Sequence, residues 1–503
     1  MPRLPVVSGS RVPLLSIGDD TVVLAARPPL DPLLDVGAAV VEALRYPLSG
    51  PPLVDLVTPG GRATIVVEAP VLPFPSVPLD PRQEAVAAVI AELTRLGIPP
   101  DRQTILVAGG LQRRAGRLQL EAILRPIPAR DFRGTVVVHD VEGDDLVSLV
   151  VSGAAPVSIN RALLEADLIV TVTVAETSER GGAAALLAAS AAESIAAPGP
   201  APSLLAPSLS PTGALAGRLE AAVAARTTLM GVSLVLDHPR LTSGYRGYPW
   251  SSDTLDALRR SPLRRLHNAL PGEMRSTVLD RLRRHVSTVA VLAGPPAVAH
   301  AEGLLRGAAL RGVSLHGQLD TIIVPVPWKS LQAPRERINP ITAAALALGH
   351  VLRLWRDASP LREDGTVVLL HDLHRTFGHG QQAPYRNLFQ LLRDGATPAE
   401  VVAARATAVA DPRAITAYRK GNAPHPALAF VDWASCGPVL ARAESIIVGG
   451  CRDAGAARAL GLVPAHSVAT AIEMANGLAG GSNRTGVMLG PPYVPIAVTY
   501  EPA

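Results

Sequence analysis

The sequence predicts an α/β protein of two domains facing a cleft, its parallel or mixed sheets covered by helices. Short runs of Val, Ile and Leu recur along the 503 residues, and most lead through glycine or proline into a segment with helical apolar spacing. That is the rhythm of strand–helix–strand units. Apolar residues make up 48% of the chain but aromatic residues only 3%. The core must therefore be built from Ala, Val, Leu and Ile, side chains that suit sheets buried on both faces. The length allows two or three domains, each able to bury a sizeable core.

Element by element, the first fifty residues are proline-punctuated and weakly periodic, and read as a short β-rich entry. Residues 64–67 form a strand before a proline-rich loop holding Pro70, Pro73, Pro75 and Pro78. Asp80 can cap a helix with Pro81 in its first turn, and Val86, Val89, Ile90 and Leu93 share one face of it. Gly97 is its natural stop. Strands follow at 104–107, running into Gly109-Gly110, and at 136–138, 147–151 and 168–174. Residues 183–211 are rich in alanine, proline and serine and predict a helix with a flexible linker, or a mobile lid. Residues 226–290 read as a connecting or inserted region with arginine-rich helices and a local group of Tyr245, Tyr248 and Trp250. A second alternating block has strands at 289–292, 321–326, 366–370 and 445–448. Its helices fall at 297–310, 342–355, 386–393, 398–408, 432–442 and 469–477. The expected division is an N-terminal domain over 1–295 and a C-terminal domain over 296–480. The last strands, in 481–503, are expected to return to the N-terminal domain.

Composition excludes several function classes. The formal net charge is only +4, and the basic residues are interleaved with acids except over 259–284, where aromatic rings to stack on bases are scarce. Nucleic acid is not an expected partner. No apolar run reaches the roughly 18 residues a membrane span needs. The N-terminal MPRLPVVSGSRVPLL carries prolines and charges where a signal peptide has its apolar stretch. With only Cys436 and Cys451, no disulfide framework is expected, and a reducing cytoplasm is the expected compartment. GxSxG, P-loop, HExxH and paired CxxC patterns are absent. Gly449-Gly450, with Gly455 beyond, reads as a tight strand-to-helix turn. Lysine occurs only at Lys329 and Lys420, so any lysine-linked cofactor has two possible attachment points.

Four segments in order carry a family resemblance. They are QTILVAGGLQRR, the stretch VVVHDVEGDDLVSLVVSG with the later VSINRALLEADLIVTVTVAETSERGG, AVLAGPPAVAHAEGLLRGAAL with LDTIIVPVP, and VLARAESIIVGGCRDAGAARALGLVPAHSVATAIEMA. The chain resembles the lactate racemase family over most of its length. The resemblance implies hydride exchange at the hydroxyl-bearing carbon of a small 2-hydroxy acid. It also implies a nickel-pincer nucleotide tethered to a lysine, and two histidines as the acid/base pair. Carried over by position, Gln112 stands at the first histidine, and Ser178 at the second, after a retained Glu176. The tethering lysine falls near Ala188, and no histidine occurs between His139 and His238 to supply the family's metal ligand. Glu68 keeps the acid of the family's phosphate-binding turn, Lys329 lies near but out of register with a family lysine, and Trp433 matches a substrate-side tryptophan. An amide cannot exchange a proton as imidazole does. The cofactor is therefore left open, and the implied ligand is a small anion or hydroxy acid in the interdomain cleft.

One cluster lies outside that pattern. His371, Asp372, His374 and His379 follow directly on the strand at 366–370, at the carboxyl end where open α/β sheets bind ligands. Three imidazoles and a carboxylate there could hold a divalent metal; the bland alternative is a solvated polar loop. Glu179 and Arg180 read either as solvated loop charges or as cleft-facing groups, and His139 and His300 as structural. Three functions remain open from sequence: a hydroxy-acid racemase or epimerase, a catalytically silent binding or regulatory homologue, and a divergent metal enzyme built on His371, His374 and His379.

Overall fold

The computed structural model describes residues 3–68, 80–124, 132–281, 284–327, 338–378, 382–480, 483–491 and 493–500. Two six-stranded sheets organise it. The first runs in the order Thr288–Gly294, Thr228–Leu236, Leu168–Val174, Ala63–Glu68, Gln103–Ala108, Thr135–Val138. Its pairs are parallel except that between Thr288–Gly294 and Thr228–Leu236. The strand Leu168–Val174 is buried at every position, as a central strand covered on both faces must be. Register places Glu68 beside Ala108, and Val67 beside Val172, so the carboxyl ends of three central strands share one edge.

The second sheet is wholly parallel, in the order Val463–Ala465, Ala443–Gly449, Leu361–Leu370, Leu319–Pro325, Thr485–Leu489, Val22–Ala25. The chain ends here differ from the expected division. Thr485–Leu489 lies in the second sheet and does not return to the first; instead the N-terminal strand Val22–Ala25 crosses over to pair with it. The helix Pro296–Arg311, expected to open the C-terminal domain, packs on strands Thr228–Leu236 and Thr288–Gly294 of the first sheet. The supposed connecting region 226–290 contains the strand Thr228–Leu236, buried from Met230 onwards. The run at 147–151 forms one arm of a separate antiparallel hairpin, Leu146–Leu149 with Val157–Asn160.

Helix boundaries differ where glycine and proline intervene. The helix expected at 342–355 ends at Ala347, before Gly349, and the one at 432–442 divides into Ala427–Ala434 and Gly437–Arg442. Pro438 falls in the first turn of the latter, where its missing N–H leaves no orphan. The alanine- and proline-rich 183–211 is packed, with helices Ala184–Leu187 and Ala192–Ala196 and buried Ala201, Leu204 and Leu205. Small side chains let this backbone lie directly on its neighbours. The largest apolar cluster joins Leu111, Ala192 and Leu204 to Ile341, Leu346 and Leu428, so one core runs continuously beneath the cleft. Among the described residues, no helix is long and apolar enough to cross a membrane.

Candidate functional site: a charged cavity between the sheets

At the carboxyl edge of the first sheet, a cavity of about 260 Å³ opens toward the helices of the second half. Each strand contributes at its end: Glu68 from Ala63–Glu68, Gln112 from the turn after Gln103–Ala108, and Glu176 and Arg180 from the loop after Leu168–Val174. The facing wall supplies His350, Arg353 and Asp432. Parallel strands place their loops on one edge, which is why groups far apart in sequence meet here.

The charges are sorted by partners. Arg82 is 3% exposed, donates to both oxygens of Asp80 (2.9 and 2.6 Å) and reaches the Glu68 carbonyl at 2.6 Å. Glu176 is held by Arg311, whose Nη1 donates to both carboxylate oxygens at 2.8 and 2.9 Å. Glu179 accepts from the Ala201 N–H at 3.1 Å and from the Arg353 guanidinium. Arg353 is 1% exposed and also donates to the carbonyls of Ala201 (2.6 Å) and Gly349 (2.8 Å). These guanidiniums are fully engaged in holding the walls. Arg180 differs: it lines the cavity with no hydrogen bond or ion pair from its side chain among the described residues.

Asp432 is buried and accepts from the Tyr385 hydroxyl at 2.6 Å. Burial pushes its carboxyl up to about 6, while the Tyr385 bond and the Arg180 charge pull the other way. His350 is half-buried at the wall, and no hydrogen bond to either ring nitrogen is present among the described residues. Burial, then the positive charges of Arg180 and Arg353, bring its pKa down to about 3, so the ring is neutral. The buried Gln112 Oε1 also has no partner.

The residues singled out from sequence thus divide. Gln112, Glu176 and Glu68 line the cavity together with Ala188. Ser178 lies outside the lining: its N–H donates to the Leu204 carbonyl at 2.7 Å, and its buried Oγ has no partner. Trp433 follows Asp432 but is half-buried against the main core. Lys329 and His379 lie outside the described residues, and Lys420 is exposed just past the helix Pro412–Arg419.

Of the histidine cluster, His371 and His374 are described, and their rings meet separate groups. The His371 Nδ1 accepts from the Leu373 N–H at 3.0 Å, and His374 is exposed with its Nδ1 2.9 Å from the Thr376 hydroxyl. Among the described residues, no group of three or more His, Cys, Asp or Glu is placed to hold a metal ion.

Gly181-Gly182 serves packing. Both adopt positive φ, +82° and +52°, and a Cβ on either would fall within 2.4 Å of His300. The His300 Nε2 bonds to the Thr177 carbonyl at 2.9 Å, which holds the loop closed above it. Sequence reasoning missed Arg82, Arg311, His350, Arg353 and Asp432 as cavity or cavity-wall groups. Asp80-Pro81-Arg82 after the proline-rich loop was the one legible signal; His350 and Asp432 sit in apolar helical surroundings with no motif around them.

The fold is thus that of an α/β protein whose cavity, lined by mixed charges, lies between two sheets at the carboxyl edge of one. Residues 9–184 match the family model described as the lactate racemase N-terminal domain. The whole fold is similar to the lactate racemase apoprotein from Thermoanaerobacterium thermosaccharolyticum, with a TM-score of 0.63 at 13% identity over 98% of this chain and 100% of that one. A protein from Thermotoga maritima is similar with a TM-score of 0.50 at 11% identity, over 94% and 100% of the two chains. No curated protein matches. Residues 9–184 thus resemble that family's N-terminal domain, and the fold is similar to that of the lactate racemase apoprotein throughout.

Proposed function

We propose that this chain binds a small carboxylate, with a 2-hydroxy acid as the leading candidate, in the cavity between its two sheets. It does so as a binding or regulatory homologue, without lysine-tethered nickel-pincer chemistry. The observation that carries the reading is Arg180, a guanidinium lining the cavity with no hydrogen bond or ion pair from its side chain among the described residues, while Arg82 and Arg353 are bonded to the walls. A planar fork of N–H donors in a partly dry cavity is suited to a carboxylate.

The tethered cofactor does not fit the wall where the resemblance would put it. Ala188 lies there, its carbonyl accepting from the Gly110 N–H at 3.1 Å, beside Leu187 and Ile195. No lysine is among the described residues lining the cavity. The acids of the loop are also committed: Glu176 and Glu179 each face an arginine, so neither is a free base.

The test is calorimetric titration of the full chain with sodium L-lactate and D-lactate, alongside intact mass and nickel content. Expected are saturable binding of at least one enantiomer and a mass equal to that of the sequence. The Arg180→Leu variant should bind about 10–100-fold more weakly, the loss of a charge-assisted hydrogen-bonded pair. A nucleotide-sized mass increase with bound nickel, or interconversion of the two lactates, would overturn the silent-homologue reading.

A further inference from the structure

We infer that His350 is the specificity-determining partner of Arg180, reading a hydroxyl beside the carboxylate that Arg180 takes. The inference rests on the carboxylate reading of the cavity and adds to it the residue that would separate a hydroxy acid from a plain acid.

The contrast with the other buried histidines carries it. The Nε2 of His139 bonds to the Ser190 carbonyl at 3.0 Å, and its Nδ1 meets the Asn160 amide at 3.2 Å. His238 meets the Arg311 carbonyl, His300 the Thr177 carbonyl, and His371 the Leu373 N–H. The Nε2 of His425 lies 3.1 Å from Glu142, and its Nδ1 accepts from the Ala427 N–H. Each has at least one ring nitrogen bonded to protein, although the His300 Nδ1 has no partner among the described residues. His350 alone of these lines the cavity, and its ring bonds to none of the described residues. Only its backbone is tied, its carbonyl accepting from the Arg353 N–H at 3.1 Å.

The surroundings keep the ring neutral. Arg353 flanks it from its own segment, and Arg180 faces it from the loop after Leu168–Val174. Asp432 lies on the helix Ala427–Ala434 with its carboxylate bonded to Tyr385, and Glu179 is matched by Arg353. A neutral imidazole offers one N–H donor and one bare acceptor, which is the pairing a hydroxyl needs, since it both gives and takes a hydrogen bond. A cationic ring between two guanidiniums would be repelled; a neutral ring beside the anion site is not. A buried polar group left unpaired by the wrong ligand discriminates more strongly than an apolar wall.

The experiment compares affinities for lactate, in its tighter enantiomer, and propionate, which differ by the hydroxyl. Wild-type protein is expected to prefer lactate about tenfold, the scale of one hydrogen bond in a partly buried site. His350→Phe should bring the ratio near one while propionate binding persists, and His350→Asn, which keeps a donor and an acceptor, should restore part of it. Arg180→Leu should weaken both acids alike. The inference is overturned if His350→Phe leaves the ratio unchanged, or if both histidine variants, folded by their unfolding curves, lower the two affinities equally. Wild-type protein binding neither acid would instead overturn the carboxylate reading itself.

Discussion

At the carboxyl edge of the first sheet, strand Leu168–Val174 opens into a loop whose two glutamates are clasped by arginines from distant parts of the chain, Arg311 and Arg353. At the carboxyl edge of the second, strand Leu361–Leu370 opens into His371, Asp372 and His374, whose imidazoles are met locally. His371 is met by Leu373, His374 by Thr376, and the Asp372 carbonyl by the Arg452 N–H. Both loops are polar and both follow a buried strand, and the first lines the cavity between the sheets. What separates them is convergence. A loop becomes a site when charged groups from other elements meet it in a partly dry space, and a high local density of histidine does not substitute for that.

The largest effect expected from that contrast lies at Arg353. Methionine there leaves the Glu179 carboxylate without its cation and the Ala201 and Gly349 carbonyls without donors. Breaking such a buried pair from one side costs about 3–5 kcal/mol, readable by chemical denaturation. A loss below about 1 kcal/mol would mean that apolar packing alone holds 201–205 against the cleft, and the contrast between the edges would weaken.

Next is the pH dependence at Asp432. Its folded pKa of about 6 lies above the ordinary carboxyl value, so burial favours the protonated form. The stabilisation is fully present below that ordinary value and is lost as pH rises through about 6. Asp432→Asn, which stays neutral, should therefore gain stability relative to wild type by about 2 kcal/mol between pH 4 and pH 7. His350 works in the opposite sense as pH falls from its ordinary value toward about 3, but it is common to both proteins and drops out of the difference. Parallel unfolding curves at the two pH values check this; an unchanged difference would remove Asp432 from the set of buried cavity charges.

The smallest effect is expected at His374. Its exposed ring bonds only to Thr376, so His374→Ala should change stability by less than about 0.5 kcal/mol and leave any bound zinc or nickel unaltered. Stoichiometric metal in wild type that disappears in the variant would erase the distinction between the two edges.

Much of the fold was legible because its strands are short apolar runs whose burial the sequence advertises. Leu168–Val174 was read residue for residue, and 64–67 and 104–107 fell inside observed strands. The strand Thr228–Leu236 was missed, although it lies inside the first sheet, because Thr228, Gly231 and Ser233 interrupt its apolar run. At the site, Glu68, Gln112 and Glu176 were legible through the family resemblance. His350, in the turn after the helix Pro340–Ala347, and Asp432, on the helix Ala427–Ala434, were not, since a lone polar residue in an apolar stretch has no local pattern around it.

By itself, the sequence determined the elements, because hydrophobic periodicity and the placement of glycine and proline act over a few residues. It also determined that position 188 is alanine and position 112 glutamine, whatever the fold. Only the tertiary structure decided that Val22–Ala25 joins the second sheet and that 183–211 is packed. It also decided that Glu176 and Glu179 are occupied by arginines roughly 135 and 174 residues away, while Arg180 is left to face the cavity. Electrostatic pairing depends on distances between side chains, and sequence separation carries no information about those until the sheets have closed on each other.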